Sequence, residues 1–144
     1  MRRTAALVAL FALAAACSSS EVTGNRRVVG GVSMSFSVAP ARVEVGTAIR
    51  FTLRLTNATG KGEKLTFPTG QHYDFWVQEG GEEVWRWSAD RVFTQEITND
   101  EIEPQGTLVL TETWAPERTG TFDVFGEVSA DGYKRPLAGE LVVR

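Results

Sequence analysis

Hydrophobic and polar residues alternate along most of the chain from residue 32 onward. The stretches 32–38 and 49–56 place an apolar residue at every second position. Successive side chains of a strand point to opposite faces, so this pattern predicts strands with one buried face. The same pattern, or turn residues at the ends, predicts further strands over 65–67, 73–79, 83–88, 107–114, 121–130 and 137–143.

Short strands separated by turn residues predict an all-β domain. No stretch after the first 16 residues shows a helical period, and Gly80-Gly81 and Asp131-Gly132 are typical turn sequences. We therefore expect an immunoglobulin-like β-sandwich of about seven to nine antiparallel strands over residues 32–144, in preference to a closed barrel. The segment 88–105 alternates least and is the longest irregular region, and long loops of this kind often carry function.

The first residues follow a different pattern. Arg2 and Arg3 precede an apolar run over residues 5–16. As a helix this run would span about 18 Å, too short for a hydrocarbon core of ~30 Å, so it predicts a signal peptide. The small residues before Cys17 resemble the lipobox of bacterial lipoproteins. That resemblance implies cleavage before Cys17 and acylation of its sulfur, the alternative being a secreted protein with an unmodified cysteine.

Three segments are therefore expected. Residues 1–16 are a lipoprotein signal peptide, residues 17–31 an acylated Cys17 with a flexible tether, and residues 32–144 the sandwich domain. We expect a lipoprotein held at a bacterial cell-envelope membrane through the lipid on Cys17, facing the periplasm or the exterior.

Composition and motifs exclude several classes of function. The chain carries 15 Lys and Arg against 18 Asp and Glu, whereas nucleic-acid binders usually show a basic surplus. One Cys and one His cannot form a Cys/His zinc site, and the acidic residues lack the spacing of a calcium loop. No nucleophile or phosphate-binding motif occurs. We expect no enzymatic activity, no cofactor, no metal and no nucleic-acid partner.

The middle of the chain carries a family resemblance. Phe67-Pro68-Thr69-Gly70-Gln71 leads into Tyr73-Asp74-Phe75, and Trp85-Arg86-Trp87-Ser88, Phe93-Thr94-Gln95 and a strand ending at Trp114 follow. These motifs resemble the BsuPI family, the intracellular proteinase inhibitor domain of bacteria. The resemblance implies an immunoglobulin-like sandwich and a protein partner, since the founding member is taken to inhibit a serine protease. The expected signal peptide places any target of this chain outside the cytoplasm.

One loop is the candidate protein-binding site. It consists of Pro68, Thr69, Gly70, Gln71 and His72. Proline fixes φ, which favours a rigid loop, and a rigid exposed loop suits a proteinase inhibitor because little entropy is lost on binding. The alternative is a structural turn that sets strand register.

The motif residues also have two interpretations. Trp85 and Trp87 face the same side of one strand, where they could stack on a sugar or pack in the core. Arg86 could pair with an acid or stack on a tryptophan. We expect the motif residues to be structural; they are Tyr73, Asp74, Phe75, Trp85, Arg86, Trp87, Ser88, Phe93, Thr94, Gln95 and Trp114.

Three functions are left open by the sequence. The first is a proteinase inhibitor, the second a non-inhibitory envelope interaction or assembly module, and the third a carbohydrate or cell-wall binding module.

Overall fold

The computed structural model describes residues 22–144, with side chains from residue 25. The expected signal peptide, Cys17 and residues 18–21 lie outside the described residues. The strands are β1 (Val22–Val29), β2 (Val32–Ala39), β3 (Arg42–Val43), β4 (Ile49–Asn57), β5 (Glu63–Phe67), β6 (Tyr73–Glu79), β7 (Glu82–Arg86), β8 (Thr98–Ile102), β9 (Thr107–Trp114), β10 (Gly120–Val128) and β11 (Leu137–Val143). The part of the chain described here holds no helix that could cross a membrane.

The strands form two principal sheets. One has the order β1-β2-β4-β9, the other the order β3-β11-β10-β6-β7, and β5 and β8 pair separately. The sheets face each other across an aromatic core, in which Phe51 of β4 stacks on Phe75 of β6 with ring centroids 5.5 Å apart. The expected all-β sandwich is confirmed.

Burial follows the alternation in the sequence. Residues 32, 34, 36 and 38 of β2 are buried, as are residues 49, 51, 53 and 55 of β4, while the intervening side chains are more exposed. The two strands pair antiparallel, with Phe36 opposite Leu53. The described hydrophobic core draws only on residues 29–143. A soluble chain of residues 18–144 therefore keeps all of that core.

The expected flexible tether over 17–31 is wrong for residues 22–29. These residues form β1, which pairs antiparallel with β2. Gly30 and Gly31 connect the two strands with φ of 56° and 88°, the conformation that two-residue hairpin turns require. Because β1 is an edge strand rich in polar residues, its sequence shows no alternation.

The strand count and direction also differ from expectation. The described residues form eleven strands, and the two-residue β3 runs parallel to β11. Pro40 follows β2 and has no amide hydrogen to continue its ladder, and the chain next joins the opposite sheet as β3. β8 lies inside the segment expected to be irregular; only its last residue, Ile102, is buried, so its pattern is weak.

The sandwich has two distinct sides. On one side, β1 packs against β11, and Nη2 of Arg27 donates to the carbonyl oxygen of Tyr133 at 2.5 Å. On the other side, edge strands β7 and β9 meet, and Trp85 stacks on Trp114 at 5.7 Å. The chain therefore enters the described fold on one side, and the loop after β7 leaves from the opposite side.

Candidate protein-binding surface

The predicted binding loop is held between neighbouring segments. Pro68 is exposed, whereas residues 69–72 are half-buried. The His72 ring lies on the Phe67 ring with centroids 3.8 Å apart, and its Nε2 is 2.8 Å from Oγ1 of Thr98. The Gly70 amide donates to the carbonyl oxygen of Thr94 at 2.8 Å. The loop supports the segment that runs from Thr94 to Thr98 and does not project from the domain.

Asp74 is the centre of a polar network on the outer face of the five-stranded sheet. Its carboxylate accepts hydrogen bonds from Nη1 of Arg86 at 2.6 Å and from Oγ of Ser88 at 2.7 Å. The amides of Phe75 and Ser88 also donate to it. Four donors compensate for the desolvation of a carboxylate that is only 6% exposed. This network fixes the end of β7 against β6.

Arg86 makes both contacts that the sequence left open. Besides binding Asp74, its guanidinium lies over the Trp76 ring, 4.5 Å from the centroid. Trp76 in turn stacks on Phe125 of β10 at 5.2 Å. The three side chains form a row across β7, β6 and β10, which covers the outer face of the sheet.

The aromatic residues of the motifs pack in the core. Trp85 stacks on Phe51 at 5.6 Å and on Trp114, and Trp87 stacks on Tyr73 at 4.5 Å. Phe75 is fully buried. Trp85 and Trp87 are both half-buried against other rings, so they do not present the pair of open faces that a sugar platform needs.

A hydrogen bond joins the two sheets at their β7–β9 side. The Tyr73 hydroxyl donates to Oε1 of Glu112 at 2.6 Å. Burial, and then this bond to a carboxylate, raise the pKa of Tyr73 well above its usual value. Tyr73 therefore stays protonated and keeps donating throughout the physiological range.

On the outer face of the five-stranded sheet, the carboxylate of Glu127 lies in an electrostatically unfavourable position. Glu127 of β10 lies directly opposite Asp74 of β6. Burial, and then the negative charge of Asp74, raise the pKa of Glu127 above its ordinary value, although Arg86, Lys134 and Arg27 partly offset them.

One small cleft opens between the edge strands of the two sheets. The cleft between β7 and β9 has a volume of about 190 Å³ and is lined by Val84, Trp85, Trp114, Glu117, Arg118 and Phe122. Pockets for small molecules usually hold about 300–1,000 Å³, so this cleft is too small for most of them. Among residues 22–144, no group of three or more His, Cys, Asp or Glu is placed to hold a metal ion.

The pattern of the sequence does not reveal the role of Asn57. Asn57 is fully buried at the end of β4. Its Nδ2 donates to the carbonyl oxygens of Lys61, Ile102 and Glu103, and its Oδ1 accepts from Thr59. The side chain thus joins β4 to β8, a link that requires knowing which strands are neighbours.

The remaining motif residues lie on the segment that follows β7. Phe93 is half-buried and packs on Trp87 with ring centroids 5.8 Å apart, while Thr94 and Gln95 are exposed. This segment, residues 88–97, is called the β7–β8 loop below. Together with the Pro68–His72 loop behind it, it forms the candidate protein-binding surface.

The chain belongs to the BsuPI family. The family model, described as an intracellular proteinase inhibitor, matches residues 36–133, which is more than half of the 144 residues. The match extends from β2 to Tyr133 and includes the whole candidate surface. A comparison with curated proteins gives no match.

Several solved structures have a similar shape. A crystal structure of the CARDB domain of a Pyrococcus furiosus protein, in complex with di-metal ions, is 14% identical with a TM-score of 0.42, covering 86% of this chain and 92% of that one. A β-glucosidase from Erythrobacter marinus is 9% identical with a TM-score of 0.45, covering 87% of this chain and 15% of that one. These likenesses carry no information about what this chain binds.

Proposed function

We propose that this protein is a proteinase inhibitor that acts outside the cytoplasm by binding its target as a folded domain. The family match over residues 36–133 carries this proposal. Inhibition by binding requires a rigid surface and no catalytic group. The β7–β8 loop and the loop behind it offer such a surface, because the Gly70 amide donates to the Thr94 carbonyl oxygen and His72 is hydrogen-bonded to Thr98 at the start of β8.

The proposal extends to a lipid anchor on Cys17. The lipobox-like sequence supports acylation there, and β1 begins at Val22, five residues further on. Five extended residues reach at most about 18 Å, so the sandwich would stay close to the membrane surface. The target proteinase would then act at or near the same membrane face.

The position of β1 supports an accessible binding surface in the anchored protein. β1 lies on the side of the sandwich where it packs against β11, and β7 is the edge strand of the other side. An anchor attached before β1 therefore leaves the β7–β8 loop on the side away from the attachment point. No observation favours an assembly module, and the packed rings of Trp85 and Trp87 disfavour carbohydrate binding.

Inhibition assays with the soluble chain of residues 18–144 test this function. The panel comprises endoproteinases with small aliphatic, large aromatic and basic specificity, each titrated for active sites. We expect inhibition of at least one of them at or below tens of micromolar. A Phe51→Asp variant, whose core side chain is fully buried, serves as the unfolded control and should not inhibit. No inhibition across the panel by the folded chain would overturn the proposal.

A further inference from the structure

The β7–β8 loop presents the two most exposed large hydrophobic side chains among residues 25–144. Val92 is 99% exposed and Ile97 is 71% exposed. A single exposed apolar residue is common on protein surfaces and by itself indicates nothing. The position of Val92 is notable because the residues on both sides of it are held against the domain.

Arg91 and Phe93 both pack on Trp87. The Arg91 guanidinium lies over the Trp87 ring, 4.4 Å from its centroid, and Nε of Arg91 donates to the Trp87 carbonyl oxygen at 3.2 Å. Phe93, two residues further along the chain, packs on the same ring. Both neighbours of Val92 are held against the Trp87 ring, whereas the Val92 side chain itself faces solvent.

The loop is also tied to the domain beyond Val92. The Thr94 carbonyl oxygen accepts the Gly70 amide, and Oγ1 of Thr98 lies 2.8 Å from Nε2 of His72. Between these ties and Trp87, residues 91–95 run without a turn or a bend. A segment fixed at both ends can enter a cleft with little loss of conformational entropy.

Resting on the proposed inhibitory function, we propose that the β7–β8 loop enters the active-site cleft of the target and that Val92 fills its specificity pocket. Extended segments bind clefts by adding a strand, and alternate side chains then determine specificity. A small branched side chain fits a small apolar pocket, as in elastase-type enzymes. The target is therefore an endoproteinase that cleaves after small aliphatic residues.

A change of specificity at position 92 tests this assignment. The soluble chain of residues 18–144 and its Val92→Lys variant are assayed against an elastase-type proteinase and against trypsin, whose pocket contains an aspartate and accepts basic side chains. We expect the substitution to weaken inhibition of the elastase-type enzyme about thirtyfold, the scale of a binding hot spot, and to create inhibition of trypsin.

Val109→Lys is the matched control. Val109 is 44% exposed on β9, outside the loop, and the same substitution there should leave the inhibition constant for the elastase-type enzyme within about twofold and create no inhibition of trypsin. Thermal unfolding of both variants should match that of the wild type, because both side chains project into solvent.

Each of the other possible outcomes would overturn a specific part of the proposal. Undiminished elastase inhibition by Val92→Lys would overturn the role of Val92 while leaving the inhibitory function intact. Wild-type inhibition of trypsin but not of the elastase-type enzyme would overturn the assigned specificity. Rapid cleavage after position 92 without inhibition would overturn the role of the loop. No inhibition of any proteinase by the wild type would overturn the loop assignment together with the proposed function.

Discussion

The Gly70 amide donates a 2.8 Å hydrogen bond to the carbonyl oxygen of Thr94, and this bond joins the Pro68–His72 loop to the β7–β8 loop. The contact leaves little room for a side chain at position 70. A Cβ there would lie 2.5 Å from Oγ1 of Thr94 and 3.3 Å from its backbone nitrogen. Glycine at this position therefore allows one loop to support the other.

Gly70→Ala should weaken inhibition without unfolding the domain. The added methyl group displaces Thr94 and releases one end of the β7–β8 loop, so we expect an inhibition constant about tenfold higher, or ~1.4 kcal/mol. Gly60→Ala is the matched control, because nothing lies within 4 Å of a Cβ at that position. Equal inhibition constants for the two variants would contradict this role of Gly70.

The register of β4 predicts a large difference between two adjacent residues. Leu53 is 1% exposed, while Arg54 points away from the core and is exposed. Leu53→Ala should lower the free energy of unfolding by about 2–5 kcal/mol, through lost burial and a cavity. Arg54→Ala should cost less than about 1 kcal/mol. Urea unfolding of both variants provides the comparison, and similar costs would be inconsistent with the register.

Glu127→Gln should stabilise the protein in a pH-dependent way. The pKa of Glu127 is raised in the folded state, so protonation of Glu127 favours folding. This contribution to stability is present below about pH 4 and is lost as the pH rises through the pKa of Glu127 in the folded state. Removing the charge should therefore raise the urea midpoint at pH 7–8, and this gain should fade toward pH 4. The exposed Glu44→Gln controls for loss of charge. A gain that is absent at neutral pH, or that does not vary with pH, would refute this explanation.

The lipid anchor can be tested by metabolic labelling with an alkyne analogue of palmitate. The wild-type chain expressed in a bacterial host should incorporate the label, and Cys17→Ala should not, because Cys17 is the only thiol in the sequence. Ser18→Ala is the control and should be labelled like the wild type. Labelling of the Cys17→Ala variant, or none of the wild type, would exclude the anchor.

Local pattern was enough to predict the central strands. The alternation over 32–38 and 49–56 gave the buried faces of β2 and β4 correctly, because each strand has one face in the core. It did not predict β1, whose ladder depends on the hairpin at Gly30-Gly31 rather than on a buried face. Nor did it predict β3, whose two residues are too few to show a period.

The candidate surface was only partly predictable for a similar reason. The sequence indicated that the Pro68–His72 loop is rigid, but the residues that cover it, Thr94 and Thr98, come from a distant part of the chain. The exposure of Val92 depends on Arg91 and Phe93 both finding Trp87, which no local pattern reveals. Contacts between loops require the tertiary structure.

The most direct test of inhibition by active-site binding is a competition measurement. The chain of residues 18–144 is titrated against a proteinase that it inhibits, once with a free active site and once with that site blocked by a small covalent inhibitor. Our account predicts a one-to-one complex with the free enzyme and at least about tenfold weaker binding to the blocked enzyme. Equal affinity for the two forms would contradict it, because the protein would then bind away from the active-site cleft.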